Sequence, residues 1–122
     1  MTTELANLVS LAADKAGHGA LWGVETTDLD CTLVAWSQGS GVARHTNAEV
    51  DVLMVVISGR VRLEVDDQTF ELGPNEIAVI PVGSERRTEA LTERAVYLNV
   101  HKRKKKLGLG NLGDFKSRPQ PD

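Results

Sequence analysis

The spacing of apolar residues changes period once along this chain. Over residues 4–15, Leu5, Leu8, Val9 and Ala12 fall on one helical face while Glu4, Asn7 and Lys15 lie elsewhere. That predicts a short amphipathic helix, with Thr3 as N-cap and Gly17 as terminator. Such a helix would lay its apolar face on the outside of a sheet or on a second subunit. From Leu21 onward the pattern becomes that of strands cut by turn residues. The run from Cys31 to Trp36 is apolar and β-branched and ends at Ser37-Gln38-Gly39-Ser40-Gly41. Val52 to Ile57 is apolar on both faces, which makes it the expected central strand. Val61, Leu63 and Val65 alternate with Arg62, Glu64 and Asp66, and Asp66-Asp67-Gln68 predicts a hairpin turn into Thr69 to Leu72. Ile77 to Ile80 and the alternating stretch from Val96 to His101 add two more strands. Many short strands at this spacing predict an all-β, double-sheet jelly-roll barrel.

The chain has 122 residues, enough for one modest core and no separate catalytic module. Its apolar and charged fractions, 41% and 25%, are those of a globular protein and argue against general disorder. No basic segment precedes an apolar N-terminal stretch, and no apolar run approaches the ~20 residues of a membrane span. A soluble, cytoplasmic protein is the expectation. Cys31 is the sole cysteine, which excludes an intrachain disulfide or a thiolate metal cluster within one chain. The net charge of −3 hides a basic run, Lys102-Arg103-Lys104-Lys105-Lys106, attached to a more acidic body. Beyond it, Gly108, Gly110 and Gly113 interleave with Leu107, Leu109, Leu112 and Phe115. That density of glycine argues against a helix, and four apolar side chains argue against a purely solvated tail. The expected division is therefore a helix over 1–17, a barrel over 18–101 and an extended arm over 102–122, draped over the barrel or a partner.

Two segments carry a motif-like frame. From Gly39 to Gly59, His45 and Asn47 stand two apart, Asp51 and Val52 follow, and an apolar run precedes the closing glycine. From Gly73 to Arg86, Pro81 and Gly83 lead to Arg86. These frames resemble the two motifs of the cupin family over about residues 20–101. In those motifs a His-x-His pair and a glutamate, then a later histidine, hold a metal. His45 matches the first histidine, Asn47 replaces the second, and the glutamate position falls on Val52 or, with a one-residue bulge, on Asp51. Arg86 takes the place of the last histidine, and Ala90 that of a following asparagine.

A mononuclear cupin centre uses three imidazoles and a carboxylate, suited to Fe, Mn, Ni or Zn. One imidazole survives here, and Arg86 brings a permanent positive charge. The resemblance therefore implies a barrel with no resident metal or other cofactor. The alternative is a divalent transition metal on an atypical set drawn from His45, Asn47, Asp51 and Glu49. His18 and His101 read as structural, with His101 the nearer to a cavity.

Without metal, His45, Asn47, Met54, Arg86, Trp36 and Tyr97 would line a mainly apolar pocket with a few polar groups. Arg86 would anchor a carboxylate or phosphate, or pair internally with Asp51 or Glu49. The leading expectation is a small-molecule binding barrel, working as a homodimer. Two alternatives remain open: an enzyme, either a metal-dependent oxygenase or isomerase with an atypical ligand set or a metal-free catalyst with His45 as general base and Arg86 stabilising negative charge, and a regulatory module acting through its arm. The basic run could meet nucleic acid phosphates, but no aromatic residue interleaves it to stack bases, so nucleic acid is not the expected partner.

Overall fold

The computed structural model describes residues 3–104. Among them one helix, α1 (Leu8–Asp14), precedes nine strands: β1 (Gly19–Glu25), β2 (Leu29–Ser37), β3 (His45–Thr46), β4 (Val52–Ser58), β5 (Val61–Val65), β6 (Gln68–Leu72), β7 (Ile77–Ile80), β8 (Glu85–Ala90) and β9 (Arg94–Lys102). They form two antiparallel sheets, ordered β1-β2-β9-β4-β7 and β3-β8-β5-β6, stacked as a jelly roll. The expected barrel is therefore present, and most of the arm beyond it lies outside the described residues.

The middle of the larger sheet is β9, with the apolar run β4 beside it. Along β4, Val52, Met54 and Val56 point inward and join Val34, Val61, Leu63, Leu72, Ile80, Ala90, Ala95 and Tyr97 in the main core. The inward side of β9 carries Tyr97, while Val96 and Leu98 face out. There they meet Leu33, Ala35, Ile57 and α1, as expected for a helix covering a sheet.

The helix is shorter than the sequence pattern predicts. Asn7, not Thr3, is the N-cap, and its side chain accepts a hydrogen bond from the Ser10 N–H at 2.9 Å. Asparagine is the stronger cap of the two, and the inward stripe is Leu8, Leu11 and Ala12. Leu5 and Val9 are left exposed. Arg94 on β9 holds the other end, donating to the carbonyl oxygens of Ala12, Lys15 and Gly17 at 2.5, 2.7 and 3.2 Å. A cation at a helix C-terminus satisfies orphan carbonyls and complements the dipole.

The outer face of the smaller sheet is charged. Arg62 pairs across strands with Glu89 and Glu64 with Arg87, at 3.3 and 3.2 Å, and Arg44 reaches Glu64 at 2.6 Å. This alternation explains why β8, written Glu-Arg-Arg-Thr-Glu-Ala, does not read as a strand in the sequence. Its outer residues are ions and two of its inner ones are polar.

Gly59, between β4 and β5, has φ +75°, and a Cβ there would run into the Arg94 carbonyl oxygen and Ala95 Cα. Gly59→Ala is expected to cost on the order of 1–3 kcal/mol in urea unfolding, because strain and collision with backbone add. Arg94→Met, which keeps the stem and loses the three helix-capping bonds, is expected to cost about 1–2 kcal/mol. It should also speed amide exchange in residues 11–15 while leaving β4 protected.

Candidate functional site

The inward faces of β4, β7, β8 and β9, with β3 and the loop before it, line a small cavity. Its lining includes Val42, His45, Met54, Ile80, Arg86, Thr88, Tyr97 and Asn99. The free space is about 10 Å³, room for about one water molecule. Four of the sequence-predicted site residues, His45, Met54, Arg86 and Tyr97, are thus brought together.

β8 alternates, so Arg86 and Thr88 point in while Arg87 and Glu85 turn to the charged outer face. Arg86 is 3% exposed and is the Cα partner of His45 across the β3–β8 pair. His45 donates through Nδ1 to the Ala43 carbonyl at 2.9 Å, which in the neutral ring leaves Nε2 as an acceptor. Asn99, equally buried, has an amide Nδ2 with no hydrogen-bond partner among the described residues.

Trp36 stands behind the cavity wall rather than in it. Its Nε1–H donates to the Tyr97 hydroxyl at 3.0 Å, Tyr97 and Thr88 share a further hydrogen bond of 3.0 Å, and the Val42 N–H donates to Thr88 Oγ1 at 3.0 Å. Burial pushes the Tyr97 hydroxyl above its ordinary pKa, partly offset by the bonds to Thr88 and Trp36 and by the Arg86 charge. Burial, with Asp30 adding to it, likewise raises the Cys31 thiol.

Asn47 has a structural position. Its Oδ1 accepts from the Glu49 and Val50 N–H groups at 3.0 and 3.3 Å, and its carbonyl accepts from the Gly83 N–H at 2.8 Å. It therefore pins the 47–51 loop to the loop after Pro81. Asp51 is exposed, and its Oδ1 accepts from the Val82 N–H at 2.8 Å. The bulge of β4 lies farther along, between Val56 and Ser58 opposite β9, so it cannot turn Asp51 inward. Val52, fully buried in the core, occupies the inward position instead. Glu49 is exposed and, with Asp51 and His101, borders an outer groove. His101 Nδ1 donates to the Lys102 carbonyl at 2.8 Å, and His18 is exposed. Among the described residues no three of His, Cys, Asp and Glu come together as a metal-ligand group.

Thr88 and Asn99 complete the polar lining, and the motif frames single out neither. A signal for Asn99 is nonetheless present: it shares a face with Tyr97, two residues away on the same strand.

Tyr97 is the only tyrosine and Cys31 the only cysteine, so each can be titrated separately. Both groups hold their protons more tightly folded than unfolded. The stability this contributes is full below their unfolded values of about 10 and 8.5 and is lost as pH rises through the higher folded ones. Tyrosinate absorbance should therefore appear only above about pH 10, together with falling stability. Tyr97→Phe should cost about 1–2 kcal/mol at neutral pH and flatten that alkaline fall, and a fall unchanged in Tyr97→Phe/Cys31→Ser would contradict the assignment.

The same architecture recurs in solved structures. A protein of Bacillus halodurans, BH2720, superposes with TM-score 0.74 at 15% identity over 87% of this chain and 85% of its own. TT1209 of Thermus thermophilus gives 0.69 at 20% identity over 82% and 97%. KdgF of Halomonas sp. gives 0.63 at 20% over 67% and 76%. No curated protein matches the sequence. At these identities the likeness establishes the fold alone, but the Cupin domain family matches residues 32–101, from β2 to the end of β9. With the two motif frames on β3–β4 and β7–β8 of a jelly roll, the chain belongs to the cupin family.

Proposed function

We propose that this cupin domain binds a compact anion, a small carboxylate or an inorganic anion of similar size, against Arg86 inside the barrel. The observation that carries this reading is the placement of Arg86, a permanent cation only 3% exposed, in a cavity walled by Val42, Met54 and Ile80. A guanidinium fork pairs naturally with a carboxylate, and in low dielectric the pairing is stronger than at the surface. The Asn99 amide supplies a second donor. With space for about one water, the ligand is either that small or keeps most of its body outside the cavity with its charged end at Arg86.

A divalent metal fits this set poorly. The positions that would hold it carry one imidazole, a turn-forming amide, a core valine and an arginine. The two carboxylates that could rescue the set, Glu49 and Asp51, face outward. No step of the proposed function passes through a metal.

Formate, acetate, nitrate and bromide should raise the thermal midpoint saturably, while methanol and ammonium should not. Full occupancy at about a hundred times Kd corresponds to about 2.7 kcal/mol. Arg86→Met should abolish the response and Arg86→Lys weaken it. A flat response in the parent, or an equal one in a folded Arg86→Met variant, would overturn the proposal.

A further inference from the structure

We infer that the segment from Leu107 to Phe115 docks in its own chain, in the apolar groove on the outer face of the five-stranded sheet. Helix α1 covers only part of that face, over Leu33, Ala35, Ile57, Val96 and Leu98. The neighbouring row is Val79, Leu53 and Val100, aligned across β7, β4 and β9 by the pairs Leu53↔Val79 and Leu53↔Val100. With Leu29 and Val82 these residues line a groove of about 480 Å³ bordered by Glu49 and Asp51. Val79, Leu29 and Val82 are 64%, 48% and 46% exposed, and a contiguous apolar surface of this kind marks a docking site.

Three features select the chain's own continuation as the occupant. Lys102 is the Cα partner of Leu29, and the Arg103 N–H donates to the Asp28 carbonyl at 2.8 Å, so the chain leaves the barrel at the rim of this groove. Residues 105–115 can span up to about 36 Å, whereas the row from β9 across β4 to β7 covers two strand spacings, about 10 Å. Composition matches as well: Lys104, Lys105 and Lys106 precede the apolar residues, as Glu49 and Asp51 border the groove, and Leu107, Leu109, Leu112 and Phe115 supply apolar surface. The intervening glycines would let the backbone lie close to the sheet. The outer face of the smaller sheet offers no such match, being covered by the Arg44, Arg62, Arg87, Glu64 and Glu89 pairs.

The test uses the full chain in a Cys31→Ser background at low micromolar concentration. Leu109→Cys or Leu112→Cys is combined either with Val79→Cys in the groove or with Thr69→Cys on the outer face of β6, two exposed positions. Under mild oxidation, at least one groove pair should close as an intrachain disulfide at monomer mass, about tenfold faster than its Thr69→Cys counterpart. Equal rates at both positions would overturn the inference. So would covalent dimers as the main product, which would instead place a second copy, the homodimer expected from the sequence, on the groove. Independently, replacing Leu107, Leu109, Leu112 and Phe115 by Ser in the full chain should raise binding of a hydrophobic dye severalfold, and unchanged dye binding would also overturn it.

Discussion

The hydroxyl of Tyr97 is the point on which this structure turns. It accepts from Trp36 on β2 and bonds Thr88 on β8, which in turn holds the backbone of Val42. Three strands from two sheets are thereby joined at one buried atom, and Thr88 Oγ1 ties the loop before β3 to it. A polar network of this kind is costly unless every member is satisfied, and satisfied it fixes a single arrangement of the walls around it. Arg86 and Asn99 are buried beside it.

The inner and outer faces of β9 divide the molecule's tasks. Inward, Tyr97 and Asn99 build the cavity; outward, Val96, Leu98 and Val100 carry the helix and border the groove. The same division accounts for what the sequence makes legible. Strands whose two faces differ in polarity, such as β5, or that are apolar throughout, such as β4, stand out by pattern. β8 is hidden because its ions pair across the outer face and its inner face holds Arg86 and Thr88. Its register, however, is implied by the Pro81–Gly83–Arg86 frame, so the position of Arg86 is legible even where the strand is concealed.

The interior is legible only in part. His45, Met54, Arg86 and Tyr97 meet as expected, but residue type alone does not show that Asn47 spends its oxygen on two backbone N–H groups. Nor does it show that Asp51 turns out to bind the Val82 N–H. Both outcomes depend on how the 47–51 loop closes against the loop after Pro81, a tertiary event. The start of α1 escapes the pattern for a local reason: Leu5 and Val9 fit the helical period, but the cap and the sheet beneath select Leu8, Leu11 and Ala12.

The replacements at the family's ligand positions all act in one direction. An amide is drawn into a turn, a valine joins the core and an arginine brings positive charge, which is the basis for proposing an anion rather than a cation in this cavity. The measurement that tests this most directly is the metal content of protein purified without chelator or metal-binding tag, compared with its His45→Ala variant. The account predicts far less than one equivalent of any transition metal in both. Near-stoichiometric metal in the parent that disappears in His45→Ala would contradict it and restore a metal centre to this barrel.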